Sequence, residues 1–284
     1  RGLGDVYKRQ TESGFEYNVG VNMSTIRNRM TKLNGGTPIS DGPFRNGSMY
    51  LTYTNEGMPI GAFWGYKTDG LIQTQEQLNA VKRADFQPNA ELGDVLFVDT
   101  NGDGKLDSSD RCMIGNPIPD IIYGINMGMA WKGFDLNLQF GGTIGNQIFN
   151  AMRYYTYFPN DITNKDRALM NYWTPNNTNT DIPRLTATDV NDNDRFSDMY
   201  VENGTYFRLR NAQLGYTLPA SLTQRIKLQK VRFYVSGQNL FTISSYSGMD
   251  PEVGQSSSLS RGIDYGIYPV SYTHLRAHET ELHL

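Results

Sequence analysis

Apolar and polar residues alternate along several stretches of the chain. Over 15–23 the odd positions are Phe15, Tyr17, Val19, Val21 and Met23, and the even ones are Glu16, Asn18, Gly20 and Asn22. A period of two belongs to a β-strand with one apolar and one polar face. The pattern returns at 123–131, where Tyr123, Ile125, Met127, Met129 and Trp131 alternate with Gly124, Asn126, Gly128 and Ala130. Lys132-Gly133 follow, and then Phe134, Leu136, Leu138 and Phe140 alternate with Asp135, Asn137, Gln139 and Gly141. A two-residue loop sets Trp131 opposite Phe134 and aligns the two apolar faces, which predicts a hairpin. Further strands are predicted over 205–218 and 231–241. In the first, the apolar phase slips near Arg210-Asn211, the mark of a β-bulge. Between them, 219–226 predicts a helical turn.

This periodicity fits two architectures. In a soluble sandwich the apolar face is a dry core. In a membrane barrel it is an outward band with aromatic residues near the strand ends, and the Gly, Asn and Gln face lines a wet lumen. Strand length and loop asymmetry favour the barrel. The predicted strands are long, and a two-residue turn at one end contrasts with connections of tens of residues at the other. Residues 141–204, with Pro159-Asn-Asp, Pro175-Asn-Asn-Thr-Asn-Thr and Asn191-Asp-Asn-Asp194, read as one such long polar loop.

Composition sharpens this. Charged residues are 19% and apolar residues 38% of 284, both below usual globular proportions of about 25% and 45–50%. Gly (29) and Tyr (18) fill much of the difference, as expected for many strands joined by polar loops. The net charge of −3 carries no basic cluster and excludes a polybasic nucleic-acid binder. No apolar run reaches the ~18 residues of a transmembrane helix.

One segment carries metal chemistry. Residues 99–110 read Asp99-Thr-Asn101-Gly-Asp103-Gly104-Lys105-Leu106-Asp107-Ser-Ser-Asp110. Oxygen donors at positions 1, 3 and 5, Gly at 6, a backbone carbonyl at 7 (Lys105) and an acid at 9 match an EF-hand-type calcium loop. Calcium is a hard cation that takes six to eight oxygens, hence the recurrence of short carboxylates and amides. Position 12 departs, with Asp110 replacing the bidentate Glu. Phe97-Val98 before the loop reads as strand, so the expected role of Ca2+ is structural.

Catalytic groupings are not apparent. No carboxylate pair stands out as a glycosidase dyad, and Gly141-Gly-Thr-Ile-Gly145 lacks the Lys-Ser/Thr of a phosphate loop. Phe63-Trp64-Gly-Tyr66 offers aromatic faces for sugar stacking, or simply packing. The single Cys112 reads as an inert thiol. The only histidines, His274, His278 and His283, fall in the last stretch. They leave the main body without a Ser-His or Cys-His system.

Several longer stretches resemble the carboxy-terminal part of SusC/RagA-type TonB-dependent outer-membrane receptors of Bacteroidetes. They include 57–71 (with Phe63-Trp64-Gly-Tyr66), 93–107 (through Asp94 and the acidic loop), Ile114-Gly-Asn-Pro-Ile-Pro-Asp120, Trp173-Thr-Pro175, 203–211 with Leu214-Gly-Tyr-Thr-Leu-Pro219, and Val235-Ser-Gly-Gln-Asn-Leu-Phe241. The resemblance implies an all-β fold, part of a large plugged barrel of antiparallel strands with long extracellular loops. It implies TonB-dependent uptake of oligosaccharides or peptides in the outer membrane. The implied partners are the TonB complex, a SusD-like surface lipoprotein and outer-membrane lipid, with no enzymatic activity. The plug, the TonB box and the amino-terminal strands have no counterpart among these residues. Residues 1–10 and 271–284 lack the alternation and resemble translated sequencing adapter. Both are expected to be non-native ends flanking a partial barrel over 11–270, which makes the His274/His278 pair accidental. The competing expectation is a secreted β-sandwich carbohydrate-binding module with a dockerin-like calcium loop, in which the residues of the apolar face form the core.

Overall fold

The computed structural model describes residues 2–11, 14–158, 164–254, 257–269 and 272–279. Seven long strands form one antiparallel sheet: β1 (Gly2–Gln10), β2 (Glu16–Thr25), β3 (Ile121–Trp131), β4 (Phe134–Ile144), β5 (Tyr206–Thr217), β6 (Val231–Ser244) and β7 (Tyr272–Glu279). Spatial order equals chain order, so the sheet is an up-and-down wall. It is open, with β1 and β7 as its edges. The predicted strands are therefore present; the one expected over 205–218 is a residue shorter at each end, and the others run on by two or more residues at their loop-side ends. The bulge is present too, as a register shift between Leu209 and Asn211 where β5 pairs with β6. The helical turn appears as Ala220–Thr223 followed by a 3-10 turn over Gln224–Ile226.

Lys132 and Gly133 both take positive φ, 46° and 87°. That is the two-residue geometry whose twist matches paired strands. It fixes Phe134 opposite Trp131, and the register then carries across the wall. Tyr17 lies beside Met129, Met129 beside Leu136, Leu136 beside Leu214 and Leu214 beside Val235. This unbroken apolar row crosses five strands. Its flank at the turn end is aromatic: Trp131, Phe134 and Phe233 are 47%, 52% and 49% exposed. None of Tyr123, Ile125, Met127, Met129, Trp131, Phe134, Leu136, Leu138 and Phe140 belongs to any of the three buried core clusters. The sandwich expectation fails on this point, because the residues it needs as a core form an uncovered band.

The other face is polar and uneven. Long side chains lie over glycines of the neighbouring strand: Asn18 over Gly128 and Asn22 over Gly124. The Arg232 guanidinium reaches across Gly215 of β5 to Asp135 of β4, with Nε donating to Oδ1 at 2.9 Å. A Cβ at Gly215 would lie 2.6 Å from that Asp135 oxygen, so glycine is what allows the ion pair to span a strand.

Three long connections, 26–120, 145–205 and 245–271, leave the same end of the wall, and the turns occupy the other. The core lies in these connections. Its main cluster joins Phe44, Leu51 and Phe63 of the first connection to Phe149, Tyr154 and Tyr200 of the second and Ile263 of the third. The expectation of a plain polar loop over 141–204 is therefore corrected. Gln147–Asn150 forms a strand, Ala151–Tyr157 a helix, and Ile148, Phe149 and Ala151 are almost fully buried. Both ends of the chain, expected to be foreign, supply backbone to the edge strands β1 and β7.

Met127 lies midway along the apolar band. In lipid vesicles, Met127→Arg in the full-length protein is expected to cost about 2–4 kcal/mol. Asn126→Arg, on the opposite face, is expected to cost much less. Equal losses in urea unfolding would show that the band does not face lipid.

Candidate functional site

The three connections are held together as one body by buried polar contacts. Asp94 is fully buried and receives Nε of Arg184 at 2.7 Å, Nδ2 of Asn193 at 3.1 Å and the Glu91 amide at 2.8 Å. Gln87 Nε2 donates to the Val95 carbonyl and to Asn191 Oδ1, while its Oε1 accepts the Phe97 amide. Asn193 Oδ1 accepts the Val95 amide. A buried carboxylate without such partners would be strongly destabilising. The network thus ties the short strand Val95–Phe97 of the first connection to 184–193 of the second. Trp173 packs against Gly93, whose φ of +87° and lack of a Cβ leave room for the ring.

The third connection closes over both. Ile263–Asp264 pairs in parallel with Phe149-Asn150. Thr52 Oγ1 donates to the Leu259 carbonyl at 2.8 Å, and Ser247 donates to Glu202. Arg208, buried on β5, ion-pairs with Asp250 and with Glu252, and Arg210 joins Glu252 at 3.0 Å. Tyr246 donates to Asp264 Oδ2 at 2.6 Å, and its hydroxyl is pushed well above its ordinary pKa by burial and by this hydrogen bond. Tyr154 is raised by burial and by Asp194, and donates to the Asp194 carbonyl while accepting from Arg45.

Between the helix Ala151–Tyr157 and this third connection lies a cavity of about 270 Å³, lined among others by Arg153, Tyr157, Asp166, Ser247, Met249 and Asp264. The Arg153 guanidinium lies over the Tyr157 ring, 5.1 Å from its centroid, and ion-pairs with Asp181 and, at 3.6 Å, with Glu202. Its buried Nε has no hydrogen-bond partner among the described residues. Donors, an aromatic face and thioethers suit reversible contact with a polar ligand. They supply no nucleophile–base pair.

The acidic loop folds around its own amides. Asp99 Oδ1 accepts Gly102 N–H at 2.7 Å and Oδ2 accepts Gly104 N–H at 2.9 Å. Asn101 Oδ1 accepts the Asp103 amide, and Asp103 Oδ1 accepts that of Lys105, both at 2.9 Å. The Ser109 amide holds the Asp107 carboxyl below the usual carboxylate range. Asp110 is fully buried, with Thr100 N–H on one oxygen and Asp107 N–H on the other, both at 3.0 Å. Among the described residues, no three His, Cys, Asp or Glu side chains converge closely enough to hold a metal ion. In this arrangement the six residues of the spacing motif shape a turn.

The remaining sequence candidates are structural. Phe63 is fully buried, Trp64 stacks on Tyr53 with centroids 4.7 Å apart, and Tyr66 packs edge-on against Phe97. Burial pushes the Cys112 thiol up, away from the reactive thiolate. His274 and His278 lie on β7, where four residues span roughly 13 Å rather than one helical turn. His283 lies outside the described residues. Sequence reasoning missed Gln87, Asn191, Asn193 and the Arg208–Asp250 pair. The visible signal for the last was two arginines set among the aromatic and aliphatic residues that open the strand, Tyr206-Phe207-Arg208-Leu209-Arg210.

No known protein-family profile matches the chain. Individual relatives do. It is 36% identical over 271 residues to TonB-dependent receptor P3 of Formosa agariphila, covering 91% of this chain and 26% of that protein. To TonB-dependent receptor SusC of Bacteroides thetaiotaomicron it is 28% identical over 262 residues, covering 92% of this chain and 24% of the relative. Among solved structures, the RagAB peptide transporter superposes with a TM-score of 0.72 at 23% identity, over 97% of this chain and 28% of that one. The chain thus spans about a quarter of the length of the relatives it matches.

Arg184→Ala leaves Asp94 buried without its guanidinium. A loss of about 3 kcal/mol is expected, read in the full-length protein as faster amide exchange across 87–97. Exchange at the wild-type rate would show that the network does not fasten the two connections.

Proposed function

Because this chain belongs to the TonB-dependent receptors of the SusC/RagA type, we propose that it forms part of the barrel wall and the outer loops of an outer-membrane receptor that imports oligosaccharides or peptides. The observation that carries this is the uncovered apolar band across five strands, backed by a polar, glycine-studded face. Such a wall suits lipid on one side and a wet lumen on the other. In this reading the three packed connections form the outer surface, and the cavity beside Arg153 and Tyr157 meets the substrate. A SusD-like lipoprotein covers that surface, and the TonB complex supplies energy through parts of the receptor beyond these residues. The protein moves its substrate and does not transform it.

For 99–110, calcium remains a proposal supported by the nine-position spacing of oxygen donors. A bound ion would have to compete with the loop amides for Asp99 and Asp103.

Cells bearing the full-length receptor are expected to take up a labelled oligosaccharide or peptide, and to lose uptake when a protonophore collapses the proton gradient. Uptake that persists under the protonophore would reject an energised import role. Calcium is expected to raise the thermal midpoint of the purified receptor, and Asp103→Ala to abolish that rise. The same midpoint with and without calcium in the wild type leaves the loop as a hydrogen-bonded turn.

A further inference from the structure

We propose that Arg27 and Arg29 form a seat for the phosphate of an anionic membrane lipid at the loop-side rim of the wall. The proposal rests on the membrane reading above. On β2 the odd residues Tyr17, Val19, Val21 and Met23 lie on the apolar face. The ladder runs one step past the strand, where the Ile26 amide donates to the Asp120 carbonyl at 2.9 Å. Beyond it, 28–30 is held against 57–60: the Met30 amide donates to the Met58 carbonyl, the Gly57 amide to the Met30 carbonyl, and the Ile60 amide to Asn28 Oδ1. Even-numbered Asn28 and Met30 are half-buried by this, and odd-numbered Arg27 and Arg29 are exposed. The two arginines thus continue the register of the apolar band beyond its upper end.

Their charges are unspent. Arg45, Arg153, Arg184, Arg195, Arg208, Arg210 and Arg232 each ion-pair with a carboxylate. Neither Arg27 nor Arg29 has an ion pair or hydrogen bond among the described residues. They line a cavity of about 380 Å³ with Asn28, Pro59, Asn116 and Asp120. The one carboxylate, Asp120, lies over Gly145. Two guanidinium forks free of any carboxylate can take a phosphate, whose oxygens accept bidentately.

Location argues for a lipid source over a soluble one. Arg27 is two residues past Thr25, which pairs with Ile121 and so stands level with Ile144 at the upper edge of the band, about 7 Å along an extended chain. That takes it from the edge of the apolar band into the headgroup layer, where a long stem can lie along apolar surface while its head meets phosphate. Exposed Met23 and Ile144 supply that surface just below.

Native mass spectrometry of the full-length receptor in detergent tests this with three probes: lipid A bearing its phosphates, the same lipid with them removed, and inorganic phosphate. The wild type is expected to hold the phosphorylated lipid about tenfold more tightly than the dephosphorylated one. Arg27→Ala with Arg29→Ala is expected to erase that preference, and Arg83→Ala, at the end of the helix Gln75–Arg83, to keep it. A double variant that retains the preference overturns the assignment, and inorganic phosphate binding as tightly as the lipid overturns the lipid source. A receptor recovered without detergent in the soluble fraction fails the membrane reading itself, whereas a membrane-embedded receptor with no phosphate preference fails this proposal alone.

Discussion

The hydrogen-bonded ladder between neighbouring strands is the interaction on which the rest of the molecule depends. It satisfies backbone amides without water, which a wall in lipid requires. It also sorts every side chain by parity, so that one residue of slip would exchange the two faces. The turn at Lys132-Gly133 fixes that parity for β3 and β4, and pairing transmits it outward to β2, β5 and β6. Where the parity has to change, at Leu209–Asn211, the chain inserts a bulge and does not surrender the apolar face. Glycines on the polar face then follow from crowding. A strand that must admit Asn18, Asn22 or the Arg232–Asp135 pair beside it has no room for a side chain of its own there.

A wall of this kind has no core of its own, because both faces are open. Packing is instead concentrated in the three connections, where aromatic residues from distant parts of the chain meet. The aromatic cluster around Phe44, Phe149 and Tyr154 supplies most of the burial. The carboxylates Asp94, Asp250 and Asp264 supply direction, since each is buried and has its partners at fixed places. Arg208 roots this body on β5, so the outer surface and the wall share one frame.

The wall was legible in the sequence because period two is a local property: each strand announces its own faces. The hairpin, the bulge and the helical turn at 219–226 were legible for the same reason. The interior of the connections was not. Phe149 lies outside any run of alternation, and Ala151, Tyr154, Tyr155 and Phe158 keep a helical spacing over a short stretch only; their burial depends on Phe44, more than a hundred residues away. The same holds for Asn191 and Asn193. In sequence they are part of a loop-like run, and they become structural only once Val95 and Asp94 arrive beside them. The acidic loop shows the opposite limit. Its spacing is plain, yet the same oxygens that suit calcium also cap their own turn amides. The strands at the two ends carry a third lesson, since backbone pairing at a sheet edge needs no side-chain alternation.

The contrast between the tight turn and the long connections has an evolutionary consequence. Both residues at 132–133 hold positive φ, and a single inserted residue there would shift β4 against β3 and turn Leu136, Leu138 and Phe140 to the wrong side. An insertion between β2 and β3 or between β4 and β5 disturbs no register, because those strands are already paired before the chain departs. Length variation among descendants of such a protein is therefore channelled to one end. New recognition surfaces can be tried there by adding or deleting segments, while the barrel staves themselves accept only substitutions that keep their parity.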